Sequence, residues 1–149
     1  MDFPDLIDPS DLGIQFFFEE VTFDWDEVRI SNWLEAVVQE EGKMLQSIRL
    51  IFCTDDFLHQ MNLDYLQHDT LTDVITFPFN SKPAIINGEI YISIDRIREN
   101  ASTYTVPFEQ ELTRVVVHGV LHLCGYGDKE VAEKEKMTQK ENFYLAKLG

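Results

Sequence analysis

The order of apolar and polar residues along the chain predicts strands alternating with helices. Residues 14–23 are rich in phenylalanine and β-branched types and predict a strand, with Phe16, Phe17 and Phe18 blurring its period of two. Trp33, Leu34, Val37 and Val38 then recur at helical spacing, so a helix follows, with Ser31 suited to cap its start and Gly42 its end. Residues 47–53 put Ile48, Leu50 and Phe52 on one side of a second strand. It feeds a helix capped by Thr54 or Asp55 and running to about residue 67. A short strand at 74–77 is ended by Pro78, and the Ser, Pro and Asn of 80–87 predict a connection. Asn87-Gly88 marks a turn just before a partner strand at 89–94, so the two strands form a hairpin.

Residues 95–102 predict a further helix, and Pro107 suits the first turn of a longer one reaching towards Cys124. Leu112, Val115, Val116, Leu121 and Leu123 leave this helix apolar nearly all round, which predicts burial. The last segment, 130–145, mixes Glu and Lys at helical spacing and reads as a solvated surface helix whose charges need no functional account. The expected fold class is α+β: a small mixed sheet of about four strands with helices packed largely on one side. No repeat or low-complexity stretch interrupts the 149 residues, so one domain over 1–149 is expected.

Composition narrows the class of protein. An apolar share of 44% with 26% charged residues excludes disordered, collagen-like and disulfide-scaffold chains. Apolar runs such as Val115-Val116-Val117 fall far short of the roughly 20 residues that span a bilayer, so no membrane partner is expected. The acidic opening with an early Pro4 is unlike a secretory signal, and a cytoplasmic location is expected. Cys53 and Cys124 then remain thiols and act as small buried hydrophobes. Twelve Lys and Arg against 27 Asp and Glu give a formal charge of −15. This opposes nonspecific attachment to phosphate backbones, and no DNA partner is expected.

The chemistry concentrates in His118-Gly119-Val120-Leu121-His122-Leu123-Cys124-Gly125-Tyr126-Gly127-Asp128. Four residues apart on a helix, His118 and His122 lie about 40° apart on one face and can present two imidazoles to one ion. Gly125 can take the left-handed conformation that ends the helix and swings Asp128 back as a third ligand. Two histidines and a carboxylate suit a first-row divalent ion, with one zinc per chain favoured and a fourth position left open. The plain alternative is a pair of core histidines satisfied by hydrogen bonds. Against it, the spacing of His118, His122, Gly125 and Asp128 reproduces the register of the metzincin pattern His-Glu-x-x-His-x-x-Gly-x-x-His. Gly119 stands where metalloproteases carry their basic glutamate, which disfavours peptide hydrolysis. Cys124 lies two residues past His122, about 200° round the helix, and should face the core.

These residues resemble the YbeY-type endoribonucleases, the rRNA maturation factors. His118, Gly119, Leu121, His122, Leu123, Gly125 and Tyr126 match the family's His-Gly-x-Leu-His-Leu-x-Gly-Tyr-Asp-His. Met61-Asn62-Leu63-Asp64-Tyr65, Asp69 and Thr72-Asp73-Val74-Ile75-Thr76-Phe77-Pro78 echo a second block, and Gly88-Glu89-Ile90-Tyr91-Ile92-Ser93 a third. The resemblance implies a zinc-dependent single-strand endoribonuclease. Its substrate would be an rRNA precursor, including the three-prime end of small-subunit rRNA, with a role in ribosome quality control and a ribosome or ribosome-associated protein as partner. It implies His118, His122 and Asp128 as metal ligands, the last by position, since aspartate replaces histidine.

Leu66 replaces an arginine that the family carries directly after the tyrosine of its second block. His68 can stand in as a donor, and Arg49, Lys82, Arg96, Arg98 and Arg114 are other possible phosphate contacts that no pattern singles out. No catalytic residue is assigned. Asp73 and Glu89 are candidate bases through their places in the resembling blocks, although Asp73 can equally cap a turn and Glu89 face solvent; Thr72 and Thr76 rank below them. Two other readings stay open: a metal-dependent hydrolase of peptide or another ester, and a noncatalytic ribosome-assembly module with a structural metal.

Overall fold

In the computed structural model, which describes residues 12–66, 72–80 and 82–149, the elements run β1 (Gly13–Phe18), α1 (Glu27–Glu40), β2 (Met44–Cys53), α2 (Asp55–Met61), β3 (Val74–Pro78), β4 (Ile85–Ser93), α3 (Ile94–Tyr104), α4 (Phe108–Leu123) and α5 (Val131–Leu148). Local chemistry starts several of them. Asp26 accepts from the Arg29 amide at 3.0 Å, Thr54 from Phe57 at 3.1 Å and Ser93 from Arg96 at 3.2 Å, each satisfying a donor that a helix start leaves open. The order along the sheet is β1-β2-β4-β3, with β1, β2 and β4 parallel and β3 antiparallel to β4. The expected α+β class, mixed four-stranded sheet and β3–β4 pairing are therefore present.

The side-chain period of two divides the sheet between two cores. Ile48, Leu50 and Phe52 of β2 and Ile86, Ile90 and Ile92 of β4 face a large core closed by α1 and α4. Cys53, Ile75, Phe77 and Tyr91 point the other way, into a smaller cluster with Leu58 and Met61 of α2. The helices lie largely on one side, with α2 covering the opposite face. Both cysteines are buried thiols, as expected. No helix among the described residues is long and apolar enough to cross a membrane.

Several boundaries differ from the sequence reading. The cap of α1 is Asp26, which leaves Ser31 inside the helix. β1 ends at Phe18, and Glu20 takes a left-handed φ of 60° before Phe23 folds back onto Phe18 and Phe52. After Met61 the chain widens into one π turn, Asn62–Leu66. Asn87-Gly88 is not a turn. Asn87 pairs with Ser47 and Gly88 with Ile48 and Pro78 inside β4, and the connection turns earlier, where the Ile85 amide donates to the Lys82 carbonyl at 3.1 Å. Glycine is needed there for close approach: a Cβ on Gly88 would stand 2.7 Å from the Phe77 carbonyl oxygen and 2.8 Å from Leu123 Cδ2.

Gly119 meets the sheet in the same way. A Cβ there would lie 2.8 Å from Ile90 Cγ2 and 3.4 Å from Thr76 Cγ2. Two glycines, one on β4 and one on α4, thus let this buried helix lie against the β3–β4 edge. Gly88→Ala should lower stability by about 1–3 kcal/mol, because the Phe77 carbonyl is backbone and cannot rotate aside. A denaturant midpoint unchanged from wild type would contradict this packing.

Candidate metal centre

Along α4, Gln110, Arg114, His118 and His122 reach solvent in a row at four-residue intervals on a helix that is largely buried beyond its first turn. A four-residue step advances about 40° round the axis, so neighbours in the row share a face while the whole row winds through about 120° over three turns. The helix ends at Leu123, and Gly125 takes φ +109°. The reversal brings Asp128 back over the row. Asp128 Oδ2 lies 3.3 Å from His118 Nε2 and 3.1 Å from His122 Nε2. One ligand atom from each of the three residues falls within 4.8 Å of the others, a cluster that could hold a metal ion. Cys124 is outside it; burial, with the charge of Glu41 adding, pushes its thiol up to about 11.

Each imidazole is fixed from behind. His118 Nδ1 is 2.7 Å from Glu141 Oε2, and His122 Nδ1 is 2.8 Å from the Tyr126 carbonyl. A carbonyl only accepts, so His122 Nδ1 donates to it, and Nε2 is the ring nitrogen turned towards Asp128. Burial alone would lower the pKa of His118. The hydrogen bond that the ring donates to Glu141 and the charges of Glu141, Asp128 and Asp73 together outweigh it and raise the value.

Glu141 is the functional residue that sequence reasoning missed. Helix α5 is not merely a solvated surface helix: Met137, Glu141 and Tyr144 form its buried face, and Glu141 joins His118 to Arg114, whose Nη1 lies 2.9 Å from Glu141 Oε1. The sign in the sequence was an acidic residue at the i+4 position of an otherwise apolar i, i+4, i+7 stripe.

Beside the centre opens a cleft of about 560 Å³ lined by Asp73 just before β3, by Glu111, Arg114 and His118 of α4, and by Glu141 of α5. Asp73 makes the turn-capping contacts the sequence allowed, its carboxylate accepting from its own amide and that of Val74, and it lines the cleft with His118. Burial raises its pKa, partly offset by His118. Burial and then the charge of Asp73 likewise raise Glu111.

The structure separates the other candidates. Glu89 is on the opposite sheet face from Ile90, bonded to Arg49 at 3.0 Å and to the Tyr91 hydroxyl at 3.0 Å, so it is away from the cluster. It is paired, not simply solvated. Arg96 is tied to Asp55 and Glu99, and Arg98 stands over the Phe108 ring. Lys82 is in the β3–β4 connection, and of the five basic candidates only Arg114 lines the cleft. Thr76 packs beside Gly119, and the Thr72 hydroxyl donates to the Val74 carbonyl at 3.4 Å. Leu66 ends the π turn, while His68 and Asp69 lie outside the described residues.

Known proteins resemble this chain over most of its length. The family model described as Endoribonuclease YbeY matches residues 16–149. Endoribonuclease YbeY of Amoebophilus asiaticus is 49% identical over 134 residues, covering 89% of this chain and 91% of that protein. The Flavobacterium psychrophilum protein of the same name is 50% identical over 117 residues, covering 78% and 83%. The solution structure of TM1509 from Thermotoga maritima matches with a TM-score of 0.65 at 29% identity, covering 91% of this chain and 88% of that one. With a match that runs from β1 through the His118, His122 and Asp128 cluster to the last helix, the chain belongs to the Endoribonuclease YbeY family.

Proposed function

We propose that this chain is a single-domain, zinc-dependent endoribonuclease of single-stranded RNA. It acts in rRNA maturation, including the three-prime end of small-subunit rRNA, and in ribosome quality control. The observation that carries this reading is the convergence of His118 Nε2, His122 Nε2 and Asp128 Oδ2 at the edge of an open cleft. Relatives named Endoribonuclease YbeY support the substrate class, and the donor set supports the ion: two imidazoles and one carboxylate suit a tetrahedral zinc site with an open fourth position. Glu141 and the Tyr126 carbonyl orient the rings, as partners behind metal-binding histidines do. A divalent ion held by His118, His122 and Asp128 would supply Lewis acidity and positive charge towards a phosphodiester in the cleft.

The protein's own groups supply the rest. Arg114 presents its guanidinium at the cleft, held by Glu141 at 2.9 Å and by Asn142 Oδ1 at 2.8 Å, and can steady a phosphate there. Asp73 takes the proton from the attacking water, because burial makes its carboxylate more basic than an exposed one. Peptide hydrolysis with a glutamate after the first histidine has no room here, since even a Cβ on Gly119 meets Ile90. Long-range steering of RNA by a chain of charge −15 is poor, so delivery by a ribosome or ribosome-associated protein in the cytoplasm accompanies this reading.

The test compares wild type with His118→Ala on single-stranded RNA, duplex RNA and peptide, with metal affinity measured by chelator competition. Wild type should cut single strands. The variant should fall to background and lose more affinity than the roughly 10–100-fold that a supporting residue costs. Cleavage that survives the substitution would sink the reading.

Metal uptake should also depend on pH in a set direction. A proton on His118 Nε2 competes with the ion, and the pKa of this group is raised. Uptake should therefore weaken as pH falls through a value above the ordinary 6.5. Glu141→Gln removes the charge behind the ring, so the midpoint should move to lower pH while affinity at high pH drops roughly 10–100-fold. Binding titrations across a pH series read both effects.

A further inference from the structure

The cleft beside the metal centre poses a problem of affinity. Among the described residues its lining carries Asp73, Glu111, Asp128 and Glu141 against a single Arg114, on a chain of charge −15. Counterion release, the usual source of nucleic-acid affinity, needs several cations along the backbone, and the cleft does not offer them. Stacking of bases on aromatic rings is the other general source for single strands, and it tolerates an acidic surface because it does not depend on charge.

One aromatic residue lining this cleft is open to solvent. Tyr104, the last residue of α3, is 63% exposed. Among the described residues, the other exposed aromatics, Phe17, Phe57, Phe79 and Phe143, do not line it. A rigid corner presents the Tyr104 ring: Thr105 takes a left-handed φ of 57°, and the Val106 amide closes the helix end on the Ala101 carbonyl at 3.0 Å. From this corner the Gln110, Arg114 and His118 row of α4 leads to the metal centre, about 12 Å of helix axis.

We propose that Tyr104 is a stacking platform for an unpaired nucleobase of the RNA substrate. The strand lies along the α4 row, with one base on the Tyr104 ring, an intervening phosphate at Arg114 and the scissile phosphodiester at the His118, His122 and Asp128 cluster. This deepens the endoribonuclease reading and rests on it. It makes Tyr104 a binding residue, remote from the reacting atoms, so its removal acts on KM.

The test is steady-state cleavage of a short single-stranded RNA by the zinc-loaded chain as wild type, Tyr104→Leu and Tyr104→Trp, with zinc affinity measured for each. The position is exposed, so all three should fold alike. Tyr104→Leu should raise KM roughly 5- to 150-fold, the effect of one lost base stack, with kcat at saturating RNA and zinc affinity unchanged. Tyr104→Trp should stay near wild type, since it restores an aromatic face of similar reach. Wild-type KM in Tyr104→Leu overturns the platform. So does a loss of zinc affinity, or a Tyr104→Trp as weak as Tyr104→Leu, because either marks a structural role. If the wild type cleaves no single-stranded RNA, the endoribonuclease reading fails and the platform falls with it.

Discussion

The close approach of α4 to the β3–β4 edge is the constraint on which the site depends. Gly88 and Gly119 remove the two side-chain positions that would hold helix and sheet apart. With the helix seated, one face buries Leu112, Val116, Val117, Val120 and Leu121, each contributing about 1–3 kcal/mol of apolar burial. The remaining row is left facing the cleft. The same contact that stabilises the core therefore sets the height and rotation of both imidazoles, and Gly119 is better understood as a packing residue than as a missing general base.

A second group of contacts holds the loop after α4. The Tyr126 hydroxyl donates to Glu41 Oε1 at 2.6 Å, the Tyr144 hydroxyl donates to Glu41 Oε2, and Lys140 Nζ lies 3.2 Å from that oxygen. Burial raises the pKa of Glu41, but these three hydrogen bonds outweigh it and hold the carboxyl below its ordinary range. The end of α1, the body of α5 and the loop carrying Asp128 thus meet at one buried carboxylate. Glu141 plays the matching part behind His118. Buried carboxylates of this kind are costly to desolvate and are retained here with partners on every side, so the polar network defines one geometry for the two rings.

Charge divides the surface by range. The acidic excess, which includes Asp73, Glu111, Asp128 and Glu141 of the cleft lining, repels RNA at long range; at contact, Arg114 and a bound cation would act over a few ångströms, where screening is weakest. Such a protein gains selectivity for substrates brought to it and loses capture of free polymer. A chain of this charge is accordingly poorly suited to scanning nucleic acid.

The residue order by itself determined the α+β class, the β3–β4 pairing, the buried character of α4 and the three residues that meet over its end. These depend on local rules: a period of two or of 3.6, a four-residue step between His118 and His122, a glycine free to reverse the chain. Tertiary structure alone decided that Asn87-Gly88 lies inside β4, that Glu89 faces away from the cluster, that Arg114 lines the cleft and that Glu141 backs His118. Each of these depends on which element approaches which, across separations such as the 23 residues between His118 and Glu141. Such partners are chosen by packing, and no local pattern records them.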